Sequence, residues 1–200
     1  MTSRTHLIHL LCAMIPMLLL TACVTERPAT AQPLRLYVFD CGSIEVLDVS
    51  VFHPGIGEDE HKTLANSCYL VVHPNGSLLW DTGLPDGLVH TPEGKTFYNT
   101  FIFRVTRTLV AQLQEIGHGP ETVGYLGVSH MHADHIGNVR LFPHATLLIQ
   151  KEEYDAAFGP DANKFGFEPA LYSSLRSNPV KMLAGDHDVF GDGTVIIKRT

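Results

Sequence analysis

The stretch "SHMHADHIG", residues 129–137, places His130, His132, Asp134 and His135 within six positions, directly after an apolar run. In extended chain, residues two apart face the same side. His130, His132 and Asp134 are therefore expected on one face, with Met131 and Ala133 on the packed side. His135 breaks the alternation and must point elsewhere. Imidazole and carboxylate suit zinc or a similar divalent ion, and two facing groups of donors suit two neighbouring ions better than one. Cysteine is absent from the cluster, which argues against a closed structural site.

The sequence around the cluster reads as alternating strands and helices. Residues 125–128 form a short apolar strand leading into it, and residues 34–44 form a strand that opens the domain. Two β-rich runs, 68–72 and 77–80, flank the turn residues Pro74, Asn75 and Gly76, which predicts a hairpin. Val105, Leu109, Leu113 and Ile116 recur at three- and four-residue steps, which predicts a helix over about 103–116. A strand over 145–150, short helices over 151–159 and 171–176, and a terminal strand complete the pattern. The class is α/β.

Composition narrows the partners. The chain has 200 residues, 44% of them apolar, and a net charge of -7. That length supports one sizeable core, and a negative chain gains nothing from nucleic-acid phosphate. The first residues read as export signal rather than fold. Arg4 precedes an apolar run over 7–20 that is too short to span a bilayer comfortably. The run ends in "LLTAC", residues 19–23, which resembles the lipobox of bacterial lipoproteins. That resemblance implies a signal peptide over 1–22 and a lipidated Cys23. Val24 after it, with no Asp, implies sorting to the outer membrane, facing the periplasm. Residues 24–33 are polar, small and proline-containing, a tether composition. Cys41 and Cys68 remain for the exported domain, where a disulfide and two buried free thiols are both open.

"HMHADH" resembles the His-x-His-x-Asp-His motif of the metallo-β-lactamase superfamily, and "LLWDTGLP", residues 78–85, resembles that family's earlier Asp-Thr-Gly turn. Within the superfamily, "YVFDCGSI", "FHPGIG", "CYLVVHPNGSLLWDTGLP", "SHMHADHIGNVRLFPHA" and "KEEYDAA" follow the order and spacing of the N-acyl homoserine lactonases. The resemblance implies an αββα sandwich over residues 34–200. It also implies two zinc ions bridging a hydroxide that opens the ring ester of a small-molecule lactone. His130 and His132 would hold the first ion and Asp134 and His135 the second. Asp81 would support them from behind, and Asp134 would pass a proton to the leaving alkoxide.

The family supplies further ligands downstream of the strand that "TVIIKRT" resembles. By that comparison the chain is expected to be incomplete: its C-terminal half is largely missing, one sheet face is short of cover, and the 200 residues alone are expected to be inactive. The rival readings are another hydrolase of this fold, acting on a β-lactam or a thioester, and an inactive truncated lipoprotein. His53, His61, His73, His90, His118, His144 and His187 lie near turns and carry no assignment.

Overall fold

The computed structural model describes residues 33–200. The expected signal peptide, Cys23 and all of the tether except Pro33 lie outside the described residues. Among the described residues no helix is long and apolar enough to cross a membrane.

The elements follow in chain order. Strands β1 (Arg35–Val46), β2 (Lys62–His73), β3 (Gly76–Trp80), β4 (Lys95–Phe97) and β5 (Phe101–Arg104) precede helix α1 (Leu109–Glu115). Then come β6 (Tyr125–Gly127), α2 (Ala133–Ile136), β7 (Thr146–Gln150), α3 (Lys151–Phe158) and α4 (Pro169–Tyr172). Strands β8 (Val180–Leu183), β9 (His187–Asp188) and β10 (Ile196–Ile197) complete the set. Eight strands form one mixed sheet in the order β4-β5-β1-β2-β3-β6-β7-β8, and β9 pairs with β10. The β4-to-β3 side is antiparallel, whereas β3, β6, β7 and β8 run parallel.

The expected hairpin is present, with β2 and β3 pairing from His73↔Gly76 to Tyr69↔Trp80. The expected helix over 103–116 is corrected. Its first part is strand: Phe101, Ile102 and Phe103 are aromatic and β-branched, and they pair with β1 at Val46, Glu45 and Ile44. The helix begins only after Thr108, whose hydroxyl accepts a hydrogen bond from Ala111 N at 3.1 Å as an N-cap. The expected helix over 171–176 also shifts. It is a short α-turn opened by Pro169, continued as 3-10 helix over Ser173–Ser177.

Alternation along the strands builds two faces. Phe39, Leu70, Leu79, Leu126, Leu147 and Ile149 face one side, where Leu113, Ile136, Ala157 and Tyr172 of the four helices pack on them. The opposite face holds a smaller cluster of Leu78, Leu148 and Leu183, covered by Val189 and Ile197 of the β9–β10 hairpin. His73 is buried beneath this hairpin, stacked on Phe190 with Nε2 2.9 Å from Asp192 Oδ2. Toward β1 the same face stays open: Leu36 is 62% and Val38 61% exposed.

A break of register between Asp40 and Ser43 bends β1. Past this bulge Ile44 and Val46 join a third cluster with Leu84, Leu88 and Phe103. The chain reversal after β3 packs against the bulge. Gly83 adopts φ +66, and an added Cβ there would lie 2.3 Å from Cys41 Cβ. Its carbonyl accepts from Gly137 N at 2.8 Å. A Cβ on Gly137 would fall 2.3 Å from Pro85 N. Gly137→Ala must therefore push two backbone segments apart, and a loss of about 2 kcal/mol is expected in denaturant unfolding. A change below a few tenths would show that the contact yields freely.

Candidate metal centre

The site is built where the turn after β3 meets the turn into α2. Asp81 follows β3 in the left-handed region, with φ 57. This costs energy for a residue with a Cβ and is the kind of backbone held at functional sites. The strain is held by a hydrogen bond from Asp81 N to Gly127 O at 2.9 Å. Next along, Thr82 N donates to His135 O at 2.7 Å. Asn138 Nδ2 donates to Thr82 O and to Leu84 O, each at 2.8 Å. Asp86 N donates to Asn138 Oδ1 at 2.9 Å. The two turns are zipped together by buried polar bonds, which makes them a rigid unit.

The backbone corrects the simple alternation expected for the cluster. His132 is extended, with φ -79 and ψ 156, and serves as N-cap of α2. Asp134 and His135 already belong to that helix. Even so, His130, His132 and Asp134 line one cleft, and His135 turns away from it. Met131 is fully buried as expected, and its N–H donates to Glu153 Oε1 of α3 at 2.7 Å. Ala133 packs against the cluster of Ile44, Val46 and Leu84 and also lines the cleft, because helix α2 starts there and ends the two-residue alternation.

Each imidazole has one ring nitrogen tied to a fixed acceptor. His135 Nδ1 lies 2.8 Å from Asp81 Oδ2. Ser129 Oγ donates to the same Asp81 oxygen at 2.9 Å and lies 3.2 Å from His130 Nδ1. A hydroxyl has one hydrogen. Given to Asp81, it leaves the Ser129 oxygen to accept from His130 Nδ1–H. His132 Nε2 donates to the Phe165 carbonyl at 3.0 Å. The other nitrogens, Nε2 of His130, Nδ1 of His132 and Nε2 of His135, are thereby the basic ones. Metal-ligating histidines are held in this way. Ser129, Asn66 (whose Nδ2 donates to Asp134 O at 2.7 Å) and the Phe165 carbonyl are supporting groups that sequence reading did not single out.

The charges respond to this packing. Burial pushes the His130 imidazole down, and the positive charges of His135 and His132 push it further. Burial pushes the Asp134 carboxyl up, but the hydrogen bond and charge of His135 outweigh it and leave the carboxyl below its ordinary range. Burial likewise disfavours a charged His135, yet its bonds to Asp134 and then Asp81 outweigh that and raise it to about 9. His135 Nε2 stands 3.2 Å from Asp134 Oδ2, close enough for a protonated His135 to pair with the carboxylate. The donor chemistry and the committed ring nitrogens fit divalent metal. The set is sparse, however: among the described residues no three His, Cys, Asp or Glu side chains converge on one point.

The cleft has a volume of about 370 Å³. It joins an apolar wall of Ile44, Phe52, Leu64, Phe101 and Phe103 to His130, His132 and Asp134. Tyr98 and Glu168 also line it, and Tyr98 Oη donates to Glu168 Oε1 at 3.2 Å.

Fold and site together are those of an α/β scaffold with a histidine–aspartate cluster at the sheet's end, and the chain belongs to the metallo-beta-lactamase superfamily, whose family model matches residues 61–200. Its relatives include the N-acyl homoserine lactonase of Bacillus cereus, 35% identical over 160 residues, covering 78% of this chain and 61% of that protein. The N-acyl homoserine lactonase AttM of Azorhizobium caulinodans is 29% identical over 174 residues, covering 81% of this chain and 64% of that protein. Among solved structures, an N-acyl homoserine lactone hydrolase with N-hexanoyl-L-homoserine bound at its catalytic metal centre superposes with a TM-score of 0.63. It is 25% identical and is matched over 78% of this chain and 62% of its own. The chain thus spans just over three fifths of the length of these relatives.

Proposed function

We propose that this chain carries the first ligands of a zinc-dependent lactone hydrolase acting on N-acyl homoserine lactones. The observation that supports this best is the cleft, where an apolar wall opens onto the His130, His132 and Asp134 side chains. A polar ring ester with an aliphatic tail matches that division. His130 and His132 would hold one zinc ion, and Asp134 and His135 a second. When bound, zinc polarises a carbonyl and lowers the pKa of water toward neutrality.

The chain's own residues do the rest. Ser129 and Asp81 fix the tautomers of His130 and His135. The apolar wall orients the acyl chain and excludes water from that end. As water adds to the lactone carbonyl carbon, Asp134, held ionised by His135, would take the water's proton and deliver it to the alkoxide oxygen released when the ring C–O bond breaks. Zinc is usually held by three protein ligands beside its open position. Two donors per ion therefore imply weak retention and little or no lactone turnover by the 200 residues alone.

The proposal extends to place. "LLTAC" supports lipidation at Cys23 and an outer-membrane-anchored protein whose domain lies in the periplasm. Metabolic labelling with an alkynyl fatty acid tests this directly: labelling that persists in Cys23→Ala overturns it.

Zinc competition against a chromophoric chelator tests the ligands. Weak binding is expected, falling a further tenfold or more in His132→Ala and in Asp134→Ala, on the order seen when ligand support is removed. Unchanged binding in both variants overturns the assignment, and stoichiometric tight zinc in the parent chain overturns the sparse-site reading. Substrate class is tested in a chain with a completed donor set. Hexanoyl homoserine lactone is expected to turn over faster than a penicillin or a glutathione thioester, and a reversed order moves the protein to another branch of the family.

A further inference from the structure

Asp81 and Ser129 account for His130 and His135 but leave His132 untouched, and a different part of the chain holds it. Residues 162–168 cross the cleft beside α2. The 3-10 turn Ala162–Phe165 ends at Gly166, whose backbone is left-handed at φ +75. That reversal presents the Phe165 carbonyl to His132 Nε2 at 3.0 Å. It also brings the buried Phe167 ring edge-on to the imidazole, with centroids 5.3 Å apart. The fit is close, since a Cβ on Gly166 would lie 3.3 Å from His132 Nε2.

The same segment is fastened at its other end. Glu168 accepts the hydrogen bond from Tyr98 across the cleft. Tyr98 and Asn99 sit at φ 52 and φ 56 in a tight turn closed by Thr100 N to Phe97 O at 3.1 Å. Such turns favour Asn and Gly at both central positions. An aromatic residue is kept there at a conformational cost, and its hydroxyl reaches the opposite rim.

We infer that residues 165–168 are a strap that positions His132: the Phe165 carbonyl selects the tautomer with a basic Nδ1, and the Tyr98–Glu168 bond ties the strap across the mouth of the cleft. The strap acts through His132 and touches no reacting atom. Any ligand that fills the outer cleft must meet Tyr98 or Glu168, so occupancy there is felt at the imidazole. This inference rests on the reading of His132 as a ligand, but its first readout needs no metal.

Long-range proton–nitrogen NMR of the imidazoles, at about pH 8 and so above the ordinary histidine range, reports the tautomer of His132. The Nε2–H form is expected to dominate in the parent chain. Gly166→Ala should convert it to a mixture and lower zinc affinity about tenfold. Gly185→Ala is the matched control, because it has φ +107 with nothing within 4 Å of an added Cβ, and it should change neither. Should Gly166→Ala fail to fold, Tyr98→Phe preserves packing and should speed solvent exchange of the His132 Nε2 proton severalfold. A parent spectrum dominated by Nδ1–H, or variants that leave tautomer and exchange unmoved, overturns the strap. The expected tautomer with no zinc binding in the parent chain upholds the strap and overturns the ligand reading instead.

Discussion

The double variant Cys41→Ala/Cys68→Ala is expected to lose about 3.5 kcal/mol of folding stability, the loop-closure value for a disulfide spanning 27 residues. The structure joins these two cysteines, which decides between the alternatives left open by the sequence. Domains of this kind have only about 5–15 kcal/mol in all, so the effect is large. The bond also sits at a decisive place. It staples the β1 bulge to β2 directly behind the turn that carries Asp81, and Leu84 N donates to Cys41 O at 3.2 Å. Both cysteines are buried, at 3% and 0% exposure, so reductant added to the folded protein should do nothing. Denaturant unfolding with and without reductant checks this. The reduced parent should unfold at the same midpoint as the double variant, and a shift worth less than about 1 kcal/mol would show that the staple constrains little.

How much of this was legible in advance depends on what kind of group does the work. His130, His132, Asp134 and His135 announce themselves because metal ligation calls for those side chains at close spacing, and Asp81 through the likeness of its Asp-Thr-Gly turn to that of the superfamily. Those five meet at the site. The groups that hold them were silent for physical reasons. Ser129 and Asn66 are common polar residues whose role depends on partners 48 and 68 positions away. The Phe165 carbonyl is backbone, and no residue type encodes it. The misplaced helix start has a different origin. Val105 falls in phase with Leu109 and Leu113, yet Val105 is buried in the cluster beside β5 while the helical pair packs in the larger core cluster. A helical period alone did not register that the chain changes partner at Thr108.

The cluster also implies a definite pH dependence for the metal-free protein. His135 is raised from its ordinary value near 6.5 to about 9 by its two carboxylates. A raised folded-state pKa stabilises fully below the unfolded value and is lost as pH climbs through the folded one. This contribution is therefore complete below about pH 6.5 and fades toward pH 9, a change on the order of 3 kcal/mol for a side chain that is 24% exposed. His130 works in the opposite sense. Its imidazole is pushed down by burial, so folding must keep it neutral, and stability falls as pH drops below about 6.5. Asp134, held low, adds stability that is lost only in more acid solution, below its ordinary value of 3.8. Urea unfolding of the chelator-treated protein should thus peak near pH 6 to 6.5 and weaken steadily toward pH 9. His135→Gln should flatten the alkaline limb, and an alkaline limb of unchanged slope in that variant would show that another group titrates there. On the proposed ligand assignment zinc would reverse the trend, because an ion held by His135 would compete with the proton that stabilises the metal-free fold. Affinity should then rise with pH over the same interval in which the metal-free fold weakens. Measured together, the two slopes test whether metal and the His135 proton compete for the same pair of side chains: opposite slopes support the assignment, and a zinc affinity that does not rise with pH overturns it.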